Sequence, residues 1–207
     1  MSKYAGEKVL VIERALFDSL GSFQGHRADS EAYIESILRP ENNHFMDRDA
    51  AEEDVNFKQI IPYAIFKAGD AYLTYERGKS GGENRLHAKL SLGIGGHINP
   101  VDDQGDAMGK ETYFAAIERE FNEELNIDCG FKIKTLGLVN DDGNDVGKVH
   151  LGVIHLVELE SPAVTANEDG IANLQFLTLE QLSEEGTLSR LESWSQIAVD
   201  LLKQKSL

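Results

Sequence analysis

The segment that most limits how this chain can fold is a helix near its middle. Between Gly105 and Ile127 the sequence reads GDAMGKETYFAAIEREFNEELNI, and the stretches on either side are β-rich in pattern. At about 100° per residue, Phe114, Ile117, Phe121 and Leu125 fall on one apolar stripe. This predicts a helix over 111–125 that docks one face on a sheet. Glu120, Glu123 and Glu124 fall within an arc of about 100° on the flank of that stripe. Carboxylates at such spacings repel one another and destabilise an isolated helix, and Arg119 offsets part of this through Glu123. A charge run of this kind is ordinarily a solvated face. The alternative is a site for a hard cation. Mg²⁺ prefers carboxylate oxygens and keeps several waters, so a few glutamates on a rigid helix meet its needs.

Composition narrows the classes of function. The chain has 207 residues, 41% of them hydrophobic, enough for one generous domain with a real core. The formal charge is −16, from 36 acidic and 20 basic residues. Such a surface repels nucleic-acid polymers and anionic lipids, so neither is an expected partner. A small anionic substrate remains compatible, provided that a local positive charge such as a bound metal receives it. No apolar run approaches the roughly 20 residues of a membrane span. Val9–Ile12 is too short for a secretory core, which gives the cytoplasm as the expected location. A single cysteine, Cys129, excludes an intrachain disulfide and reads as a core thiol, against the sharper reading of a catalytic thiol that a local base or helix N-terminus would have to activate.

Along the chain, residues 8–13 read as a strand, and Ser30–Leu38 as a helix with Tyr33, Ile34 and Ile37 on one face. Residues 41–55 are polar and acidic and read as a linker or surface loop. Residues 1–54 are thus expected to be an extension packed on a core of residues 55–207. In that core, Phe57–Phe66 and Ala71–Glu76 form a hairpin about a Gly69-Asp70 turn. Leu86–Ile94 runs into Gly95-Gly96-His97. Phe131–Val139 and Val146–Leu159 read as strands, Leu174–Leu177 as a last strand, Leu179–Leu182 as the start of a short helix and Leu188–Lys203 as a longer one. Strands, helix, strands and helices in this order imply one mixed sheet covered by helices.

The helix resembles a named motif. The Nudix box runs G-x5-E-x7-R-E-U-x-E-E-x-G-U, where U is bulky and apolar. Gly105, Glu111, Arg119, Glu120, Phe121, Glu123, Glu124 and Ile127 match it in order, and Asn126 replaces only the last glycine. A chance match at these positions is on the order of 1 in 10⁵, before allowance for glutamate-rich helices. The box covers about a ninth of the chain. The helix should end at Leu125, and asparagine is the usual substitute where a left-handed residue follows a helix. The family's Gly-Gly-polar turn lies farther upstream than usual, at Gly95-Gly96-His97. Either Gly105 is the structural box glycine, or Gly96 fills that role ahead of an acidic insertion.

The resemblance implies an α/β fold, the Nudix-type α/β/α sandwich with a central mixed sheet. It implies a hydrolase that cleaves a phosphoanhydride bond in a small nucleoside-diphosphate-linked or related diphosphate, with Mg²⁺ or Mn²⁺. Carried over by position, Glu120, Glu123 and Glu124 are metal ligands, joined by the Gly96 carbonyl. One of these three glutamates, or a carboxylate from a distant loop, activates water, Glu111 orients the ligand set, and Arg119 braces the glutamates. Arg77, Arg85, Lys89 and His97 are candidate substrate contacts, against the plainer reading of a basic hairpin tip. Asp141, Asp142 and Asp145 offer a further carboxylate or simply an acidic turn. His150 and His155 lie in a strand pattern and read as structural, and Trp194 as helix packing. The expected partner is a small phosphorylated substrate, and a homodimer is an open assembly state. Two other functions fit the same fold: a catalytically silent ligand sensor or interaction module, which should have lost box glutamates, and an isopentenyl-diphosphate isomerase, which needs an active-site cysteine.

Overall fold

Four consecutive residues near the start of the chain, Val9–Ile12, are between 0% and 4% exposed. A strand buried to that degree has protein on both faces, and it anchors the first part of the fold. The computed structural model describes residues 4–77, 89–100, 110–167 and 170–205, with Lys110 and Glu111 described by backbone alone.

In chain order, the first elements are β1 (Lys8–Glu13), α1 (Arg14–Ser19), β2 (Gly25–Arg27) and α2 (Glu31–Ile37). A 3-10 turn (Pro40–Asn42), β3 (Asn43–Asp47) and α3 (Arg48–Ala51) follow. Next come β4 (Phe57–Ala68), β5 (Ala71–Arg77), β6 (Leu90–Ser91), β7 (Gly93–Gly95) and α4 (Lys110–Glu124). Then come β8 (Leu125–Ile127), β9 (Phe131–Asn140), α5 (Asp145–Lys148), β10 (His150–Leu159), β11 (Val164–Ala166) and β12 (Ile171–Thr178). The chain closes with α6 (Leu179–Ser183), α7 (Glu185–Leu188) and α8 (Ser193–Lys205).

This is a mixed α/β fold on a large mixed sheet. Among the described residues ten strands share the sheet, with main order β12-β5-β4-β10-β9-β2; β1 pairs with β3 and β4, β6 with β5 and β7 with β4. Strands β8 and β11 form a separate antiparallel pair. Contacts divide the chain into two compact units: Met1–Pro62 with Gly95–Arg119 and Gly137–Val153, and Tyr63–Ile94 with Glu120–Leu136 and Ile154–Leu207. No helix of the described residues is long and apolar enough to cross a membrane.

In the first unit, β1 pairs antiparallel with β3 from Lys8↔Asp47 to Ile12↔Asn43, and with β4 from Val11↔Gln59 to Glu13↔Phe57. The expected linker over 41–55 is therefore corrected: it holds a strand and a helical turn. Its polarity suits a strand of which only part is buried. Asn43 turns its amide onto the carbonyls of Ile37 and Arg39, while Met46 and Ala51 pack on Val9 and Val11. Short elements with too few residues for a period also went unread: α1, which buries Phe17, and β2, which pairs with β9 from Gly25↔Asn140 to Arg27↔Leu138. The strand expected from Val146 begins instead at His150, because the Asn144 side chain caps Gly147 and starts a helical turn.

In the second unit, β4 and β5 meet at a tight turn in which Gly69 has φ +58°, a conformation that glycine adopts without strain. Strand β12 pairs along β5 from Ile171↔Arg77 to Thr178↔Ala71. The helix expected over 188–203 splits, because Leu90 hydrogen-bonds the backbone of Arg190 and Glu192 and draws residues 190–192 out of helix. Tyr63 and Ser195 share a hydrogen bond of 2.9 Å, Ser91 donates to Glu192 at 2.6 Å, and Trp194 packs edge-on against Tyr63.

Candidate functional site

Helix α4 follows its forecast within one residue at each end. Its buried face is rotated from the expected one. Tyr113, Ala116 and Ile117 are at most 2% exposed, and Phe121 and Leu125 at most 4%. Phe114, placed on the stripe by the sequence, is 36% exposed and is a correction. It shares an azimuth with Phe121 and Leu125 but sits in the first turns of the helix, where Tyr113 carries the packing. On a 100° wheel, Glu120 and Glu124 continue the line of Tyr113, Ala116 and Ile117, while Glu123 lies to one side. The face that is apolar in the first half of the helix thus becomes carboxylate in the second. Glu120 and Glu124 are half-buried there and Glu123 is exposed.

The end of α4 is closed by a residue far along the chain. The Asn167 side chain donates to the carbonyls of Asn122 and Glu123 at 3.0 and 3.1 Å, and its backbone N–H donates to Glu124 at 2.9 Å. With these carbonyls satisfied, no left-handed residue is needed. Asn126 is extended, paired with Thr165 in the β8–β11 ladder, and the expected left-handed cap is corrected.

The Gly95-Gly96-His97 segment leaves β7 and is held in the first unit by two hydrogen bonds. Leu10 N–H donates to the Ile98 carbonyl at 2.9 Å, and the Arg119 guanidinium donates to the His97 carbonyl at 2.9 Å. Arg119 thus braces this loop. Glu111 lies in the first turn of α4 with its side chain outside the described residues, and Gly105 and Arg85 also lie outside them. Arg77 donates to Glu192 at 3.2 Å, and Lys89 is exposed with its ammonium on the Ser189 carbonyl at 3.3 Å. Cys129, expected in the core, is only partly buried, a correction, and donates its thiol to the Ser161 carbonyl at 3.3 Å.

Residues 141–145 form a braced turn. Asp141 accepts from Gln24, Asn144 and Gly143 N–H. Asp142 accepts from Arg14 at 2.8 Å and from Lys58 at 2.9 Å. Partial burial pushes the Asp142 carboxyl up, but the hydrogen bond and charge of Lys58 outweigh it and hold the group below its ordinary range. Lys58, which is fully buried, is pushed down by desolvation, against the pull of Asp142.

One grouping was not foreseen. Glu52, His97 and His150 place one ligand atom each within 4.8 Å of the others. The sequence gives no signal for Glu52, one acid among many. His150 read as structural because it opens a strand. Burial pushes His97 well below its ordinary pKa, with the charges of Arg48, His150 and Arg119 adding to it. Burial also lowers His150, opposed by its bond to the Val146 carbonyl and by Glu52. Both imidazoles are therefore neutral at pH 7.

No family model matches the chain. The protein YmaB of Bacillus subtilis (strain 168) is 41% identical over 194 residues, covering 92% of this chain and 91% of its own length. The crystal structure of Tm1382, a protein assigned to the Nudix hydrolases, superposes with a TM-score of 0.79 at 30% identity, over 96% of this chain and all of that one. The NUDIX domain of Shewanella oneidensis NrtR, complexed with ADP ribose, shares the fold at a TM-score of 0.53 and 13% identity, over 72% of this chain and 89% of its own.

Proposed function

Because the chain belongs to the Nudix hydrolase family and is a pyrophosphohydrolase of that type, we propose that its substrate is a small nucleoside-diphosphate-linked or related diphosphate, cleaved with Mg²⁺ or Mn²⁺ held by Glu120, Glu123 and Glu124. The observation that carries this reading is the change of character along one face of α4. A helix fixed by buried Tyr113, Ala116 and Ile117 presents half-buried Glu120 and Glu124 on the same line. Carboxylates on a rigid, packed helix are the donor chemistry that a hard dication takes. Bound there, the cation would neutralise phosphate charge and make water more acidic. Gly96 and Glu111 complete the proposed set on sequence grounds. Residues 1–54 are proposed as an extension on the catalytic core.

The chain's own groups then have distinct tasks. Water adds to one phosphorus of the anhydride, and one of Glu120, Glu123 and Glu124, or a carboxylate from a distant loop, accepts its proton. The bridging P–O bond breaks, and the leaving phosphate or nucleotide takes the bonding electron pair. Arg119 acts as a positioning residue through the His97 carbonyl. Lys89 is the exposed member of the basic candidates among the described residues, and Arg77, Arg85 and His97 complete that set. Catalysis of this kind rests on positioning and electrostatics more than on covalent chemistry.

A phosphate-release screen over nucleoside triphosphates, sugar nucleotides, dinucleotides and diphosphate metabolites tests the proposal. The NrtR domain complexed with ADP ribose puts an ADP-sugar first in that screen. Turnover should require Mg²⁺ or Mn²⁺ and stop with EDTA. Glu120→Gln and Glu124→Gln should each lower kcat by about 100-fold or more while circular dichroism stays unchanged. Full turnover in either folded variant, or turnover that ignores EDTA, refutes it.

A further inference from the structure

We propose that Glu52, His97 and His150 form a second metal site, one that takes a divalent transition-metal ion such as Zn²⁺ through two imidazoles and one carboxylate. Its chemistry differs from that of α4. Imidazole nitrogen suits zinc and its neighbours, whereas an all-oxygen set suits Mg²⁺ and Mn²⁺. All three residues belong to the first unit.

The distances favour an ion over a plain hydrogen-bonded pair. The two Nε2 atoms are 3.4 Å apart. That is long for a hydrogen bond donated by ring N–H, which is strongest nearer 2.9 Å. It matches the edge of a tetrahedron with metal–nitrogen bonds of 2.0–2.1 Å, about 3.3–3.4 Å. The Glu52 Oε1 atom is 4.0 Å from His150 Nε2, and its side chain is 25% exposed, so a small torsion brings it to bonding range.

The surroundings set the ligand atoms. His150 Nδ1 lies 2.7 Å from the Val146 carbonyl, so Nδ1 carries the proton and Nε2 presents its lone pair. A ring fixed in this way by a backbone carbonyl is the usual partner arrangement of a metal-binding histidine. His97 is held through its backbone, its carbonyl accepting from Arg119. Arg48 lies 3.5 Å from Glu52, and its charge is balanced by Glu7 at 2.8 Å. The three ligands come from the turn after α3, the loop after β7 and the start of β10. One ion would therefore tie together segments separated by up to 98 positions, Glu52 to His150.

Co²⁺ titration of the full chain carrying Glu120→Gln and Glu124→Gln tests the site without the helix carboxylates. One Co²⁺ per chain should bind with visible d–d absorption, be displaced by Zn²⁺, and raise Tm. His97→Ala should abolish the absorption. Glu52→Gln, at a partly exposed position where folding is not at risk, should weaken Co²⁺ affinity by about tenfold. A spectrum that never develops, or one that persists unchanged in Glu52→Gln and in a His97→Ala chain of native circular dichroism, overturns the proposal. The readout is metal binding, so it stands or falls separately from the hydrolase reading.

Discussion

Lys58 is fully buried, and its ammonium touches four acceptors: Asp142 at 2.9 Å and the carbonyls of Gly147, Lys148 and His150 at 3.0–3.1 Å. It holds the α5 turn against the start of β10, the strand end that presents His150. A charge buried this way contributes through what its removal leaves behind. Lys58→Met would take this donor from three carbonyls, of which Gly147 keeps the Val149 N–H. Asp142, 30% exposed, keeps Arg14, so the residual carboxylate is not stranded. The expected loss is about 1–3 kcal/mol, the cost of leaving buried acceptors unsatisfied. Urea unfolding measures it, and a change under about 0.5 kcal/mol would mean that water replaces the ammonium at no cost. Gly93 shows a constraint of a different kind. A Cβ there would lie 2.4 Å from the Tyr63 ring, so only glycine lets the backbone cross it.

At the level of elements, α4 joins what sequence can show to what it cannot. Its length was legible because a 3.6-residue period repeats over four turns. Its carboxylates were legible because their spacing is local. Its ending was not, because the cap comes from Asn167, more than 40 positions from the carbonyls it satisfies. The same limit explains β3. A strand that exposes part of itself looks polar, and only its partner β1 reveals it. The Glu52–His97–His150 cluster escaped for this reason too, since three residues far apart in sequence carry no common pattern. The cap matters because α4 has no basic residue in its last turn, while Glu123 and Glu124 sit at its negative end. Asn167→Ala removes two hydrogen bonds to backbone carbonyls and should cost about 1–2 kcal/mol, or a Tm drop of roughly 2–4 °C per kcal/mol. Hydrogen exchange should quicken at residues 124–127, and Mg²⁺ should bind more weakly. Unchanged exchange there would show that the β8–β11 pairing alone holds the helix end.

Over the whole molecule, two electrostatic effects oppose each other as pH falls. The net charge of −16 makes the native state repel itself, and acid relieves that repulsion. Buried neutral histidine acts the other way. His155 is 1% exposed, and burial alone lowers its pKa from an ordinary 6.5 to about 4. The unfolded chain then binds a proton that the folded chain refuses, so stability present above pH 6.5 is lost as pH falls toward 4. A displacement of that size corresponds to about 3 kcal/mol. His97 and His150, lowered by burial as well, add loss in the same direction. Asp142 acts in a lower window, because its depressed pKa costs stability only as pH falls below 3.8. Surface repulsion is screened beyond about 8 Å at physiological salt, whereas a buried imidazole is not. The histidine effect therefore dominates: in 0.15 M salt with EDTA, Tm should fall steadily from pH 7 to 4.5. His155→Leu keeps an apolar side chain in β10 and removes one titrating group, so its Tm should fall less over the same range. Parallel Tm–pH curves for the two proteins would assign the acid sensitivity to surface charge instead.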